Sequence, residues 1–372
     1  MPPPVFNYYY DFWDRNSTLE RDELLKAFMD EMGTLFDADY QRDANDIPTQ
    51  GKLHGLDRLG SSKAEKLYVD RARFIERVST HLDGYPRPTR KHFFQVVHVA
   101  YAEALNREIA SKNPWIVYQL HWPDVNRTRK VVSDFAGAYF VHMVREPAPS
   151  LAALYNGLAL GRGFDSMTYG ARCIAAILQG AGPVLPEIRE SSRVIRLEDI
   201  HAKAEDIMRK LSAWMNISWS GNLLESTFNG KLWWSIPSRK GDLSGFDTKR
   251  LSDVSAQRHV MSSLDTYVIK SLLYDRYVAW GYVKPSRLMS LIRWLTVLPL
   301  LLFPFRMEIH AIRNAKKSDH VTVVLGSIVR LHVLAFSVWL RRGFLPIKSA
   351  YNKIRWVLKA VTVGVEGASP LL

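Results

Sequence analysis

The stretch "YFVHMVREPAPSLAALYNGL", residues 139–158, contains the transition that decides the fold. Its first half is apolar and rich in β-formers, and its second half has the apolar spacing of a helix. Arg145 stands at the junction. A strand that ends in an arginine and continues directly into a helix places a cation beside the positive end of the helix dipole, which is an arrangement for holding an anion. Pairing of Arg145 with a carboxylate such as Glu146 or Glu198 explains the same pattern equally well.

Two further runs have the composition of short buried strands. They are "WIVYQL" (115–120) and "RVIRL" (193–197), and helical patterns separate them from the central stretch. Short strands that alternate with helices predict an α/β fold with a parallel sheet. Ligands of such sheets bind at the carboxyl ends of the strands. His121, which directly follows the first run, is therefore a second candidate site residue, and a purely structural histidine is the alternative.

Helical patterns also occupy the chain before the predicted sheet. Ser17 and Glu20 have the spacing of a capping box and predict a helix that ends at Gly33. A second helix is predicted from Lys66 to Leu82, and a third over residues 93–110. Near the other end, apolar residues spaced four apart predict a long helix that ends at "WGY" (280–282).

The composition is that of a folded intracellular protein. The chain has 372 residues, of which 47% are hydrophobic, and this excludes the disordered class. A single cysteine, Cys173, excludes a disulfide framework and a multi-cysteine metal site. No metal is expected. The first residues lack the basic and apolar regions of a secretion signal, which favours a cytoplasmic location.

The positive charge is concentrated after residue 283. Residues 284–372 contain 14 Lys and Arg and 3 Asp and Glu, so they carry +11 of the net +13. Residues 321–340 are long enough to span a bilayer, but Arg330 and His332 lie in the middle, and a central arginine costs about 2.5 kcal/mol or more.

Basic residues beside broad apolar faces predict helices that lie in an anionic membrane surface. Packing on the core or on a partner chain is the alternative, and the apolar faces disfavour a nucleic-acid partner. The predicted organisation is an α/β domain of residues 1–285 followed by a basic, helical, membrane-associated region of residues 286–372. Such a chain would be peripheral or monotopic at the cytoplasmic face of the membrane.

Four features, taken together and in their order, resemble the sulfotransferases that use 3′-phosphoadenosine 5′-phosphosulfate (PAPS). They are "PWIVYQLHWPD", "FVHMVREPAPSLAALY", "RVIRLEDI", and the segment from "FNGKLWW" through "SRKG" to "WGY". The resemblance covers about residues 66–283. The last of the four segments is similar to the closing loop and last helix of bacterial members of the family. It implies a P-loop-like three-layer sandwich, with a short parallel sheet flanked by helices.

The resemblance also implies roles for individual residues. Arg145 would hold the 3′-phosphate of the nucleotide, and His121 would be the general base that takes the proton of an acceptor hydroxyl. Arg239, Lys240 and Gly241 resemble the basic segment that reaches the same phosphate. PAPS would be the co-substrate, and the acceptor a hydroxyl of a glycan, a glycolipid or a lipid-linked precursor. The aromatic residues Phe228, Trp233 and Trp234 would stack on a sugar or belong to the core.

Three departures from the family pattern weaken this implication. Ala153 stands where the family has a phosphate-binding serine, although Ser150 is near enough to substitute. Gln119 stands where a lysine would touch the sulfuryl group. The Gly-rich loop that cradles the 5′-phosphosulfate is missing, and its nearest echo, "LDRLGSSK" (56–63), has no β-strand before it.

Two explanations of the missing loop remain open. Either the chain begins downstream of the first strand and loop, or the protein is a degenerate relative that keeps the fold without the chemistry. The second explanation predicts a membrane-bound scaffold or binding protein in place of a sulfotransferase.

Overall fold

A computed structural model of the chain describes most of its first 306 residues. The described residues are 9–40, 55–107, 109, 115–120, 125–155, 186–234, 245–246, 261–306, 308–309, 313, 332–333, 335–336 and 339. The chain divides into two compact units, one of residues 1–138 with 218–247 and the other of residues 139–217 with 248–372. The elements in chain order are helices α1 (Tyr9–Asn16), α2 (Arg21–Glu31), α3 (Arg71–His81), α4 (Arg90–Ala104) and α5 (Val125–Asp134), strand β1 (Phe140–Val144), helix α6 (Pro147–Tyr155), strand β2 (Ser192–Arg196), helices α7 (Leu197–Ala202) and α8 (Ala204–Met215), strands β3 (Thr227–Phe228) and β4 (Lys231–Leu232), and helices α9 (Ser263–Leu272), α10 (Tyr274–Ala279) and α11 (Arg287–Leu300).

The first unit is built of helices around an aromatic core. Tyr9, Phe12, Phe28 and Phe93 are fully buried there. The rings of Phe12 and Phe93 each meet that of Phe28 edge to face, with centroids 5.6 and 5.7 Å apart. Such ring pairs add about 0.5–1.5 kcal/mol beyond the area that they bury. This core, rather than a sheet, organises the first unit.

The structure corrects the predicted starts of two helices. The first helix begins at Arg21 with Glu20 as its N-cap, so Ser17 lies in a turn and forms no capping box. The second begins at Arg71, because Asp70 accepts hydrogen bonds from the amides of Ala72 and Arg73 at 2.9 and 3.1 Å. The residues before Asp70 hydrogen-bond to other segments instead: Leu67 N–H donates to the carbonyl of Leu56.

The predicted strand at residues 115–120 is not a strand in the structure. Its side chains do alternate, since Ile116 and Tyr118 pack on the first core while Val117 is 94% exposed. A strand, however, also needs a neighbouring backbone with which to exchange hydrogen bonds. The β-prone composition of this run is compatible with one packed face, but these residues do not make the strand pairing that it predicted.

The second unit contains the parallel pair that the sequence predicts. Strands β1 and β2 are parallel, and their register runs from Phe140 opposite Ser192 to Val144 opposite Arg196. Helix α6 lies between these strands in the chain, and this mixture of helices with a short parallel sheet is compatible with the predicted α/β class. The register brings the ends of both strands level, which places Arg145 and Leu197 at the same edge.

Helices α6, α9 and α11 share one buried apolar cluster in the second unit. Leu151, Val268, Ile269 and Val297 are all buried within it. The predicted long helix before "WGY" is two helices, α9 and α10, and Leu264 lies on an exposed side of the first. Helix α11 begins at Arg287, directly after the predicted domain boundary at residue 285, and packs on α9.

Contacts also tie the few described residues after 306 to the end of α11. The indole rings of Trp294 and Trp339 stack with centroids 5.0 Å apart. His332 lies between the carbonyl of Leu301 and the carboxylate of Glu308. In the part of the chain that the structure describes, no helix has the length and hydropathy needed to cross a membrane.

Candidate anion site at the end of strand β1

Arg145 is the first residue after strand β1 and lies two residues before helix α6. Its side chain is half-buried. Strand β1 fixes the position of its backbone, because Val144 is buried and paired with Arg196 of β2. The guanidinium group is therefore carried by a rigid strand end, at the edge where α/β sheets bind ligands.

Glu198 is bound by two groups other than Arg145. Its Oε1 accepts a hydrogen bond from the amide of Glu146 at 3.0 Å, and its Oε2 accepts one from the hydroxyl of Tyr282 at 2.7 Å. Burial, together with the hydrogen bond to Glu198, raises the pKa of Tyr282 well above its usual range. Tyr282 therefore stays a hydrogen-bond donor, and the two bonds use both oxygens of the carboxylate.

Glu146 is also paired elsewhere, with Lys270 of helix α9. The distance from Lys270 Nζ to Glu146 Oε1 is 2.9 Å. A third acidic group is Asp199, whose Oδ1 accepts a hydrogen bond from Nη2 of Arg196 at 2.9 Å. Each carboxylate at this edge thus has its own partner.

Arg145 has no hydrogen-bond or ion-pair partner within the described ranges of the chain. The alternative explanation of this arginine, pairing with Glu146 or Glu198, is not what the structure shows. A guanidinium at the end of a parallel strand can bind the oxygens of an anion in a bidentate manner. Arg145 is therefore the candidate anion ligand at this edge.

The backbone at the start of helix α6 contributes less to such a site than the sequence suggests. Pro147 and Pro149 have no N–H group. The amide of Glu146 is bound to Glu198, and the amide of Ala148 donates to the hydroxyl of Tyr277 at 3.1 Å. The carboxylate of Glu198 thus occupies the position that an external anion takes at a helix N-terminus. An anion at Arg145 would be held by side chains.

The other predicted site residues differ in what the structure says of them. Ser150 lies in the first turn of α6, the helix that follows Arg145, and is half-buried, whereas Ala153 is exposed. His121 and the segment of Arg239, Lys240 and Gly241 lie outside the described residues. Within the described ranges, no group of three or more His, Cys, Asp or Glu is arranged to hold a metal ion.

Three residues that shape the site were not predicted as site residues. They are Lys270, Tyr277 and Tyr282, which neutralise Glu146, cap Ala148 and hold Glu198. The sequence contained a signal for one of them, because "LEDI" and "WGY" were both singled out as motifs. The bond between Glu198 and Tyr282 joins these two motifs directly.

The "LDRLGSSK" segment belongs to the first unit and is already bound to other parts of that unit. Gly60 N–H donates to the carbonyl of Leu232 at 2.9 Å, and Trp234 Nε1 donates to the carbonyl of Gly60 at 2.7 Å. Lys63 lies over the ring of Trp234, 4.4 Å from its centroid. Residues 55–58, which precede Leu59, form a turn and not a strand. These bonds give the segment a structural role that phosphate binding would have to displace.

The aromatic segment near residue 230 is partly core. Phe228 is buried in the first unit, and Trp233 packs against the same cluster. Of the three aromatic residues considered for sugar stacking, Trp234 has Lys63 on its face. Because Phe228 is buried in the core, it gives no support to the sugar-stacking interpretation.

The chain matches no protein-family model, no curated protein and no solved structure.

Proposed function

We propose that the chain is a PAPS-dependent sulfotransferase that acts at the cytoplasmic face of a membrane. The observation that carries the proposal is the half-buried Arg145 at the end of a parallel strand, with both neighbouring glutamates bound to other groups. A guanidinium recognises the oxygens of a phosphate group in a bidentate manner. The proposed ligand of Arg145 is the 3′-phosphate of the nucleotide, with Ser150 as a second contact.

The proposed reaction transfers a sulfuryl group to a hydroxyl of a glycan, a glycolipid or a lipid-linked acceptor. The acceptor oxygen forms a bond to sulfur while the bond between sulfur and the 5′-phosphate oxygen breaks. His121 takes the proton of the hydroxyl, and 3′-phosphoadenosine 5′-phosphate (PAP) leaves. Arg239, Lys240 and Gly241 are proposed to hold the nucleotide phosphate together with Arg145. The chemistry needs positioning and charge stabilisation, as phosphoryl transfer does.

The finer fold in this proposal is a P-loop-like three-layer sandwich. Support comes from the parallel pairing of β1 and β2. It comes also from the hydrogen bond between Glu198 of "LEDI" and Tyr282 of "WGY", since both motifs are among the features that carry the resemblance. The basic region after residue 285 is proposed to hold the chain on anionic lipid, near a membrane-bound acceptor.

A calorimetric titration of PAP into the purified chain tests the nucleotide site. Binding in the micromolar range is expected. Arg145→Ala should weaken it about 10- to 100-fold, because one charge-assisted phosphate contact is worth about 1.5–3 kcal/mol. Arg209→Ala is the matched control, since Arg209 forms an exposed pair with Glu205 within helix α8 and such pairs contribute little to stability. Equal affinity of wild type and Arg145→Ala would contradict the role of Arg145.

Transfer of labelled sulfate from PAPS to membrane lipid extracts tests the reaction itself. Wild type should label a lipid or glycolipid, and His121→Ala should reduce labelling about 10²-fold or more, since a general base contributes at least that factor. Arg145→Ala should reduce it through weaker binding of PAPS. Equal labelling by all three proteins would contradict both role assignments.

The second candidate is a non-enzymatic, membrane-bound binding protein of the same fold. The start of helix α6 favours it, because two prolines and two occupied amides leave no backbone donor for an anion among residues 146–149. This candidate predicts no measurable affinity for PAP. Micromolar binding in the titration above would count against it.

A further inference from the structure

Helix α11 is apolar on both its inner and its outer face. The inner face consists of residues spaced three and four apart, with Val297 and Leu301 buried against the core of the second unit. Arg293 lies on this side as well, with its guanidinium over the rings of Tyr267 and Tyr274. A helix that needed only to cover this core would have a polar outer face.

The outer face of α11 has large apolar side chains instead. Leu288 is 67% exposed, Leu291 54%, Leu295 56% and Leu302 84%. These positions recur every three to seven residues, so they form one continuous stripe along the helix and past its end. Met289, Ile292, Leu298 and Phe303 widen the stripe and are also exposed. An exposed apolar surface of this continuity indicates an interaction site.

Within the part of the sequence that contains this stripe, the charged residues all have one sign. From Arg276 to Met307 the sequence contains five arginine and lysine residues and no aspartate or glutamate. The exposed Arg287 and Arg306 bracket the stripe at its two ends, and Lys284 precedes it. Glu308, the first acidic residue beyond it, is buried and bonded to His332. An apolar stripe with positive ends is complementary to a partner that offers an apolar layer bordered by negative groups.

We propose that the outer face of α11 docks into the interfacial layer of a membrane that contains anionic lipids. The leucines lie among the acyl chains, and Arg287 and Arg306 contact lipid phosphates. A second copy of the chain is a poorer occupant, because two such stripes would bring like charges together. Residues 289–305 contain two prolines and Arg293, and the helix therefore lies along the surface. This inference rests on the membrane location in the proposed function and not on sulfuryl transfer.

The single cysteine of the chain makes a direct test possible. In a Cys173→Ser background, Leu295→Cys places one environment-sensitive fluorophore (nitrobenzoxadiazole) on the stripe. Ile75→Cys is the matched control, because Ile75 is an exposed apolar residue on helix α3. The full-length proteins are mixed with vesicles of phosphatidylcholine and phosphatidylglycerol, with and without bromine on the acyl chains. Vesicles of phosphatidylcholine alone form a second arm.

The expected result is a blue shift and quenching by brominated lipid at position 295 and neither at position 75. Leu291→Asp with Leu295→Asp should weaken vesicle binding about 10-fold or more, since each leucine removed from lipid costs more than 1 kcal/mol. Omission of phosphatidylglycerol should also weaken it.

Three outcomes would overturn the proposal. They are an absence of vesicle binding, vesicle binding without a change at position 295, and a blue shift at position 295 that grows with protein concentration without lipid, which would indicate a second copy. PAP binding measured without vesicles reports on the nucleotide site alone, so the two proposals fail separately.

Discussion

Lys270 and Tyr282 determine how charge is distributed around Arg145. Each binds one of the neighbouring glutamates, Glu146 through an ion pair and Glu198 through a hydrogen bond. Under the proposed function, these two contacts leave the guanidinium available for an external anion.

Replacement of Tyr282 tests this dependence. Tyr282→Phe removes the hydrogen bond to Glu198 Oε2 and should cost about 1–2 kcal/mol in the free energy of unfolding. The released carboxylate should then compete for Arg145 and weaken PAP binding. Urea unfolding and calorimetric titration measure the two effects.

Glu198→Gln in the Tyr282→Phe background separates the two effects. Removing the negative charge should restore the affinity for PAP while the stability stays low. If Tyr282→Phe binds PAP as wild type does, Glu198 does not control the arginine.

At this scale the sequence predicted the place of Arg145 but not whether Glu146 or Glu198 pairs with it. The junction of strand, arginine and proline is local, and the strand formed where the pattern indicated. The competing explanation was an ion pair of Arg145 with Glu146 or Glu198. Whether that pair forms depends on Lys270 and Tyr282, which bind these glutamates from distant positions in the chain. No local pattern reports such contacts, and both possibilities had to remain open.

At the scale of elements, the start of helix α9 is fixed by more than an ordinary cap. Ser262 and Asp265 form a capping box, and Asp265 Oδ2 also accepts a hydrogen bond from the amide of Arg306 at 3.1 Å. Asp265 is 4% exposed. One carboxylate therefore ties the beginning of α9 to the chain that follows α11.

Asp265→Ala should destabilise the second unit more than the loss of an ordinary cap. Two partly buried amides, those of Ser262 and Arg306, lose their acceptor, and the expected loss is about 2–3 kcal/mol. Asp70→Ala is the comparison, because Asp70 caps helix α3 from an exposed position and should cost about 1 kcal/mol. Equal losses of unfolding free energy, measured by urea denaturation, would show that the bond to Arg306 contributes nothing.

Elements were predictable where one local pattern was sufficient. Strands β1 and β2 were predicted with their parallel arrangement, because apolar runs separated by helices leave few other topologies. The segment at residues 115–120 was predicted wrongly, since a run of β-formers such as Ile116, Val117 and Tyr118 does not specify a backbone partner. Helix starts were missed by several residues, because Asp70 and not the onset of the apolar pattern ends the extended chain.

At the scale of the molecule, three of the described histidines have a displaced pKa, and the displacements differ in sign. Burial lowers the pKa of His142 on strand β1. Burial beside Phe94 in the first unit lowers the pKa of His98 to about 4. In the second unit, the hydrogen bond to Glu308 raises the pKa of His332. The Leu301 carbonyl and the Phe305 ring also face His332.

These displacements predict a stability maximum near the ordinary histidine pKa. Below about pH 6.5 the unfolded chain binds a proton that folded His98 does not, so stability falls with pH, by at most about 2 kcal/mol at about pH 5. His332 binds its proton more tightly when folded, and its contribution is lost as the pH rises above about 6.5 through the raised pKa.

Urea unfolding across this pH range, on wild type and two variants, measures the two contributions. His98→Gln should make the acid side shallower and leave the part that His142 contributes, and His332→Gln should flatten the alkaline side. His92→Gln, on the same helix as His98, is the control. A variant profile parallel to that of wild type would contradict the assignment for that histidine.

The paired indoles of Trp294 and Trp339 have an optical consequence. Their planes are within 2° of parallel, and each ring N–H donates to the other residue's carbonyl, at 3.2 and 2.8 Å. Two identical chromophores held so close share their excited states, which gives a bisignate band in circular dichroism. A difference spectrum against Trp339→Phe isolates that band from the other tryptophans. This band therefore reports, without any added label, whether Trp339 is packed on Trp294 of helix α11.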